Sequence, residues 1–194
     1  EIGDLEQLTI ISRDPAPAPK DYLAVSGGIF RDQTIHDFDM ARFFIPNIVE
    51  VYASGANVFS DDIKSLDDYD SAVVTLRGSK DELVTIINSR HASYGYDQRL
   101  EAFGSKGALL ATNVSPTTVK LYNDVTVEGR NPYMNFFLER YAFSYARELE
   151  LFVEGIQTGK NNNPTFDDGR AALILADAAT ESAKTGKAIK VNLA

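Results

Sequence analysis

The sequence contains no cysteine and no tryptophan among its 194 residues, and it has only two histidines. The absence of cysteine excludes disulfide bonds, thiolate nucleophiles and cysteine-ligated metal centres. The two histidines, His36 and His91, are too few for a histidine-based metal site, which would need several carboxylates as well. We therefore expect no bound metal.

Positive charge is also scarce, because 19 Lys and Arg residues stand against 28 Asp and Glu residues, for a net charge of −9. Nucleic acids and anionic membrane surfaces are bound by local excesses of Lys and Arg. The composition therefore argues against both kinds of partner. No apolar run is long enough to span a membrane and no signal-peptide pattern opens the sequence, so we expect a cytoplasmic protein.

Several common catalytic motifs are missing from the sequence. It contains no G-x-G-x-x-G or G-x-x-x-x-G-K-[ST] loop for nucleotide phosphates, and no G-x-S-x-G or H-E-x-x-H motif. What remains is 44% hydrophobic and 24% charged, which is typical of a globular protein with a sizeable core. A self-contained enzyme is therefore difficult to assemble from these residues.

The hydrophobic pattern predicts an α+β fold. Short apolar or alternating runs separated by turn signals predict strands, and longer runs with a period of three to four predict helices. The predicted strands are 5–12, 49–53, 72–76, 83–89, 98–103, 108–111, 119–122 and 188–191; the predicted helices are 29–45, 134–157 and 165–184. Consecutive strands with short links predict a mostly antiparallel open sheet with helices packed on one face. The acidic stretch 60–70 is predicted as a solvated loop.

The segment around the first predicted helix is the most informative for chemistry. Asp32 and His36 are four residues apart, so on one helix they share a face and their side chains can meet. A carboxylate beside an imidazole fixes the ring tautomer and raises its basicity, as a general base requires. The same spacing is common on helices that have no catalytic task, so the pattern alone leaves both interpretations open.

A second segment combines two tyrosines with a glycine and nearby charges. Tyr94 and Tyr96 offer flat apolar faces and hydroxyl groups, which suit a polyhydroxylated ring. The alternative is a strand end whose aromatic side chains pack and whose Gly95 allows a bend.

In the order in which they occur, these segments resemble the inositol 2-dehydrogenase branch of the Gfo/Idh/MocA oxidoreductase family. The resemblance rests on G-G-I-F-R-D-Q-T-I-H-D-F-D at 27–39 and S-R-H-A-S-Y-G-Y-D-Q-R at 89–99. It also includes T-I-I-S-R-D-P at 9–15, F-L-E-R-Y at 137–141 and D-D-G-R-A-A at 167–172. The resemblance implies a dihydrodipicolinate reductase-like C-terminal domain, used for substrate binding and oligomerisation, over residues 1–194. It implies further that the N-terminal Rossmann domain, with its NAD loop and catalytic lysine, is absent from this chain.

The resemblance also implies roles for individual residues. Asp32 and His36 match the family's catalytic Asp and His, with His36 taking the hydroxyl proton while hydride passes to the nicotinamide. Asp14, Tyr94 and Tyr96 match substrate-binding positions, although relatives carry Asn at the position of Asp14. We expect NAD(P) as the cofactor of the full-length parent, with none bound by this chain. The expected substrate is inositol or a related cyclic polyol or sugar.

Two functions are therefore open at this stage. The chain is either the substrate domain of an NAD-dependent inositol 2-dehydrogenase, inactive on its own, or a non-catalytic binding and assembly module. In the second case its sheet face would mediate homo-oligomerisation into a dimer or tetramer.

Overall fold

The computed structural model describes residues 1–161 and 163–193. Seven strands and seven helices are found in this part of the chain. The strands are β1 (Leu5–Arg13), β2 (Ile48–Ala56), β3 (Ser71–Gly78), β4 (Leu83–Ser89), β5 (Asp97–Gly104), β6 (Gly107–Ala111) and β7 (Ile189–Lys190). The helices are α1 (Lys20–Leu23), α2 (Ile29–Asp32), α3 (Thr34–Phe44), α4 (Asp61–Ser65), α5 (Phe137–Arg140), α6 (Ala142–Thr158) and α7 (Phe166–Thr185).

The strands form one sheet in the order β6-β5-β1-β4-β3-β2-β7. All neighbouring pairs are antiparallel except β1 and β4, which run parallel with Leu8 opposite Val84 and Ile10 opposite Ile86. The predicted mixed fold with a mostly antiparallel open sheet is confirmed. The single parallel pair was not predicted, and it matters because it brings the carboxyl ends of two strands distant in sequence to the same end of the sheet.

Alternation along the strands places the core on one face of the sheet. Leu8, Ile10, Val74, Val84 and Ile86 are buried, and the residues between them are more exposed. Helices α2, α3 and α7 cover this face. Their contribution includes Ile29, Phe38 and Ala41, and a stripe of small and apolar residues on α7 formed by Ala172, Leu175, Ala176 and Ala179.

Helix α7 begins and ends where its sequence predicts. The Thr165 hydroxyl accepts a hydrogen bond from the Asp168 backbone N–H, and the Asp168 carboxylate accepts one from the Thr165 N–H. This reciprocal capping box satisfies backbone donors that a helix N-terminus otherwise leaves free. The helix ends at Gly186, whose φ of +67° is favourable for glycine.

Two predicted elements outside the candidate site differ in the structure. Residues 119–122 form no strand; Leu121 makes only an isolated bridge with Gly129, because no strand lies beside this segment. The predicted helix 134–157 is divided at Tyr141 into α5 and α6, and α6 contains no buried residue. The placement of helices on one face therefore holds for α2, α3 and α7 but not for α6. Within residues 1–161 and 163–193, no helix combines the length and apolar character needed to cross a bilayer.

Candidate active site

The candidate site lies at the end of the sheet where β1 and β4 finish. Arg13 of β1 is paired with both Ser89 of β4 and Asp97 of β5, and Ser89 is paired with Ser71 of β3. The ends of four strands are therefore adjacent. Four residues lie immediately beyond these strand ends: Asp14, Asp70, Arg90 and Tyr96.

Asp32 is held at this end of the sheet by two hydrogen bonds. The Tyr22 hydroxyl donates to Asp32 Oδ1 at 2.6 Å, and the Arg90 guanidinium donates to Asp32 Oδ2 at 2.7 Å. The hydrogen bond to the carboxylate raises the pKa of the Tyr22 hydroxyl above its ordinary value. The Asp32 side chain keeps 13% of its surface exposed, so it remains accessible from the site.

The predicted contact between Asp32 and His36 is absent. The helix predicted over 29–45 is interrupted at Gln33, whose side-chain amide donates to the backbone carbonyls of Ser12 and Ser89 at 3.1 and 3.2 Å. Asp32 therefore ends α2 while His36 belongs to α3. In the described part of the chain no hydrogen bond or ion pair joins their side chains, and His36 is exposed.

The charges of Asp32 and Arg90 both act on the pKa of Asp14. Burial raises the pKa of Asp14 to about 6; the positive charge of Arg90 opposes this rise and the negative charge of Asp32 adds to it. The structure thus brings two of the predicted site residues, Asp14 and Asp32, into one electrostatic cluster.

Tyr96 belongs to the same cluster. Its pKa is raised by burial, by the neighbouring Tyr141 hydroxyl and by the charges of Asp14 and Asp37. The Tyr96 and Tyr141 rings meet edge to face at a centroid distance of 6.1 Å. Tyr141, at the junction of α5 and α6, is therefore a site residue that the sequence analysis missed.

Tyr94 is engaged elsewhere. Arg13 donates a hydrogen bond to the Tyr94 hydroxyl at 2.7 Å, and that hydroxyl donates to the buried carboxylate of Asp97 at 2.8 Å. Gly95 separates the two tyrosines with a φ of +106°, and a Cβ there would lie 2.6 Å from the Tyr133 carbonyl oxygen. This bend directs Tyr94 into the Arg13–Asp97 ion-pair cluster, so its predicted substrate contact stays a prediction.

Asp37 is a second site residue that the sequence analysis missed. It is buried, and its Oδ2 accepts a hydrogen bond from the Asn88 side-chain amide at 2.7 Å. The Asn88 Oδ1 in turn accepts one from the Thr34 hydroxyl at 2.8 Å. Burial raises the pKa of Asp37 to about 7, opposed by the Asn88 hydrogen bond and assisted by the charge of Asp14. A sequence signal existed: Asp37 precedes the buried Ala41 by one helical turn.

We expect Asp37→Asn to stabilise the protein at alkaline pH. Because the pKa is raised on folding, the folded state holds the proton more tightly, so the free energy of unfolding falls as pH rises from about 4 to about 7. A shift of about three pKa units corresponds to roughly 4 kcal/mol at most. The free energy of unfolding of the variant should exceed that of the wild type by on the order of 2 kcal/mol near pH 8 and by almost nothing near pH 4.

Urea unfolding at both pH values measures this effect. Asp39→Asn, a half-buried aspartate on the same helix, is the matched control and should show little pH-dependent change. The raised pKa of Asp14 also makes the free energy of unfolding fall as pH rises. Part of the wild-type pH dependence should therefore persist in Asp37→Asn. An equal stability change at both pH values would contradict the prediction.

The acidic stretch 60–70 is structured, contrary to its prediction as a solvated loop. Asp70 is fully buried and accepts hydrogen bonds from the backbone N–H groups of Val58, Phe59 and Ser60 at 2.9–3.0 Å. Asp68 is also buried, with Ile29 N–H donating to its Oδ1 at 2.8 Å. The prediction from composition was wrong because these two carboxylates accept hydrogen bonds from neighbouring segments.

The sequence has no dinucleotide-binding fingerprint. No glycine-rich loop joins a strand to a helix N-terminus in the sequence, and such a loop is what cradles the pyrophosphate in a Rossmann domain. Among the described residues no cluster of three or more metal-binding side chains occurs either. The site can therefore offer carboxylates and hydroxyls to a polar ligand.

The chain is similar to known proteins along nearly its whole length. The chain is 47% identical over 191 residues to the myo-inositol 2-dehydrogenase of Thermotoga maritima, covering 98% of this chain and 57% of that protein. It thus spans little more than half the length of that relative. A crystal structure of a myo-inositol dehydrogenase from Corynebacterium glutamicum is 64% identical and superposes with a TM-score of 0.97, covering 98% of this chain and 57% of that one.

A more distant structure contains bound ligands. The scyllo-inositol dehydrogenase of Lactobacillus casei, solved with NAD(H) and scyllo-inositol, is 26% identical with a TM-score of 0.86, covering 97% of this chain and 57% of that one. The family model for the GFO/IDH/MocA C-terminal domain matches residues 1–110. By sequence and by fold, the chain belongs to the GFO/IDH/MocA family and corresponds to the C-terminal part of its inositol dehydrogenase relatives.

Proposed function

We propose that this chain is the substrate domain of an NAD-dependent inositol 2-dehydrogenase, over residues 1–194. The observation that carries the proposal is that Asp14 and Tyr96 flank the adjacent ends of β1 and β5, and that Arg90 beside them binds Asp32. Carboxylates and phenolic hydroxyls at a partly enclosed surface are the groups that recognise a ring bearing several hydroxyls. Relatives that share 47% or more of the sequence are named myo-inositol dehydrogenases, which supports the same substrate class.

In this proposal each residue acts on a hydroxyl of the polyol. Asp32 has one protein hydrogen bond on each carboxylate oxygen, and an ionised carboxylate has further acceptor positions for substrate hydroxyls. Asp14 and Tyr96 bind neighbouring hydroxyls of the ring. His36 accepts the proton of the hydroxyl that becomes a carbonyl, because its imidazole is exposed and makes no competing side-chain hydrogen bond in the described structure.

The hydride acceptor in the parent enzyme is NAD, and this chain has no glycine-rich phosphate loop to hold it. The chain alone is therefore expected to bind a polyol without oxidising it. The preference among inositol isomers, or for a related sugar, depends on which hydroxyls Asp14 and Asp32 contact.

The experiment is an NAD-reduction assay on the whole protein that contains this chain. We expect NADH formation with myo-inositol or scyllo-inositol, and much less with an open-chain polyol such as sorbitol as the matched control. In parallel, calorimetry on the 194-residue chain should detect binding of the same inositol without NADH formation. Failure of the whole protein to reduce NAD with any inositol or sugar would refute the assignment.

A specific observation also favours the assembly function. No helix in the described part of the chain covers the sheet face opposite α3 and α7, and this face displays exposed apolar side chains including Tyr52, Val73 and Leu110. Exposed apolar patches commonly mark protein–protein interfaces. We propose that two copies of the chain associate through this face.

Sedimentation velocity tests the association. We expect the chain to sediment as a dimer or tetramer, and Val73→Lys to shift it towards monomer, because a charge would then be buried at the interface. Val25→Lys, in the exposed turn after α1, is the control and should leave the distribution unchanged. A wild-type chain that stays monomeric at high concentration contradicts the assembly proposal and leaves the dehydrogenase proposal intact.

A further inference from the structure

We propose that Arg90 is a positioning residue for Asp32, and that the acidic segment 57–70 exists to hold Arg90 in place. This inference rests on the proposed function, because it assigns a role in the site that binds the polyol. It extends that function by naming residues that touch no substrate and yet set the geometry of the carboxylate that does.

The first observation is the burial and pairing of Arg90. Its side chain is 1% exposed, and its guanidinium donates to Asp32 Oδ2 at 2.7 Å and to Asp68 Oδ2 at 3.3 Å. An arginine is rarely buried without paired carboxylates, and its planar fork fixes the orientation of the groups it binds. Asp32 and Asp68 are therefore locked to one rigid cation.

The second observation is that Arg90 links the two ends of α2. Asp68 Oδ1 accepts a hydrogen bond from the N–H of Ile29, the first residue of α2, while Asp32 is the last. The guanidinium thus connects both ends of a one-turn helix through two carboxylates. Gly28, which precedes α2 with a φ of +86°, lies so close that a Cβ there would be 3.0 Å from Asp68 Oδ1.

The third observation is that Arg90 is fixed by its backbone as well. Its N–H donates to the Asp70 carbonyl at 2.9 Å, and the Asp70 carboxylate fastens the turn at 58–60 through three backbone N–H groups. The Asn57 amide donates to the Asp68 carbonyl at 3.0 Å. The segment is therefore a rigid support behind Arg90 and Asp32.

Stability alone does not account for this arrangement. A buried group of one arginine and two aspartates generally contributes less to folding than well-packed apolar side chains of similar volume. Its advantage is geometric, since a displacement of about 1 Å at a catalytic group can lower a rate by roughly a hundredfold. Asp32 keeps 13% of its side chain exposed while its Oδ2 is held by Arg90, as a positioned carboxylate requires.

The test compares Arg90→Lys and Asp68→Asn with the wild type in the whole protein. Lysine keeps the charge but binds as a single point, so we expect kcat/KM for inositol to fall about tenfold or more, mainly in kcat. Asp68→Asn keeps an acceptor for Ile29 N–H but weakens the hydrogen bond with Arg90. We expect a smaller decrease in kcat/KM, of about threefold to tenfold. Arg31→Lys, in the exposed pair with Asp177, is the control and should leave kcat/KM for inositol unchanged.

A spectroscopic readout on the 194-residue chain separates positioning from a general structural role. Tyr22 donates to Asp32, and its pKa is raised by this hydrogen bond, by the charges of Asp32 and Asp14, and lowered by Arg90. Displacement of Asp32 should therefore lower the Tyr22 pKa in Arg90→Lys, as in the reference variant Asp32→Asn. The titration is followed by NMR of ring-labelled tyrosine, with Tyr22→Phe identifying the signal.

The outcomes are distinguishable. A Tyr22 pKa and a kcat/KM that both remain at their wild-type values in Arg90→Lys overturn the inference. If Arg90→Lys does not fold, Asp68→Asn decides the question by the same two measurements. If the whole protein oxidises no inositol, the proposed function fails, whereas the Tyr22 titration still reports whether Arg90 positions Asp32.

Discussion

Replacing His36 with alanine in the whole protein is expected to lower kcat for inositol oxidation by about a hundredfold or more, the usual scale for loss of a general base. In the proposal His36 receives the hydroxyl proton, and none of Asp14, Asp32 and Tyr96 carries an imidazole that could replace it. The KM for inositol should change little, because Asp14, Asp32 and Tyr96 would still bind the ring hydroxyls.

The chain offers a matched control in its only other histidine. His91 is also exposed and follows Arg90, but its ring packs against Phe59 at a centroid distance of 5.0 Å. His91→Ala should leave kcat nearly unchanged. Because His36 is exposed, added imidazole should reach the gap left by His36→Ala and restore part of the rate. An unchanged kcat in His36→Ala would remove this residue from the mechanism.

The largest effect on stability is expected from Asp70→Ala, which should lower the free energy of unfolding by about 3 kcal/mol or more. The carboxylate accepts three backbone hydrogen bonds and a fourth from the Ser71 hydroxyl at 2.9 Å. Removing it leaves these donors without an acceptor. Asp70→Asn keeps one oxygen acceptor and should lose roughly half as much.

The pH dependence gives this prediction a second measurement. Burial opposes ionisation of Asp70, but the hydrogen bonds from Phe59, Val58, Ser71 and Ser60 prevail and lower its pKa. A lowered pKa stabilises the folded state above about pH 4, and that contribution is lost as pH falls through the folded-state value. The stability gap between wild type and Asp70→Ala should therefore narrow below about pH 4.

Chemical unfolding across this pH range measures both effects. Asp61→Ala, an exposed aspartate in the same segment, is the control and should change stability by no more than about 0.5 kcal/mol. A gap between wild type and Asp70→Ala that does not vary with pH would show that the ionised carboxylate is not the source of the stabilisation.

Local sequence patterns were sufficient for most of the secondary structure. Strands β1 to β6 have alternating or apolar runs bounded by turn residues, and α7 carries its capping box and terminal glycine in the sequence. The wrongly predicted strand at 119–122 has the same local pattern, but it lies beside no partner strand. Strand formation depends on a neighbour, which a local pattern does not contain.

The candidate site was less predictable because its contacts join distant segments. Local patterns singled out Asp32 and Tyr96, and the family resemblance added Asp14 and assigned the roles, whereas Arg90, Asp68 and Asp37 were not assigned roles. Burial of Arg90 requires carboxylates from α2 and from the segment after α4, and nothing within its own segment indicates this. The break at Gln33 likewise depends on carbonyls at the ends of β1 and β4, so the spacing of Asp32 and His36 alone predicted a contact that does not form.

The parallel pairing of β1 with β4 also has a consequence for biosynthesis. Within this sheet β1 is synthesised first, but both of its neighbours, β4 and β5, are synthesised only after β2 and β3. Non-local pairings of this kind are slow to form, since a long loop must close before they contribute. During translation β1 therefore has two unpaired edges until β4 and β5 emerge, and the candidate site is completed only after Arg90 and Tyr96 have been synthesised.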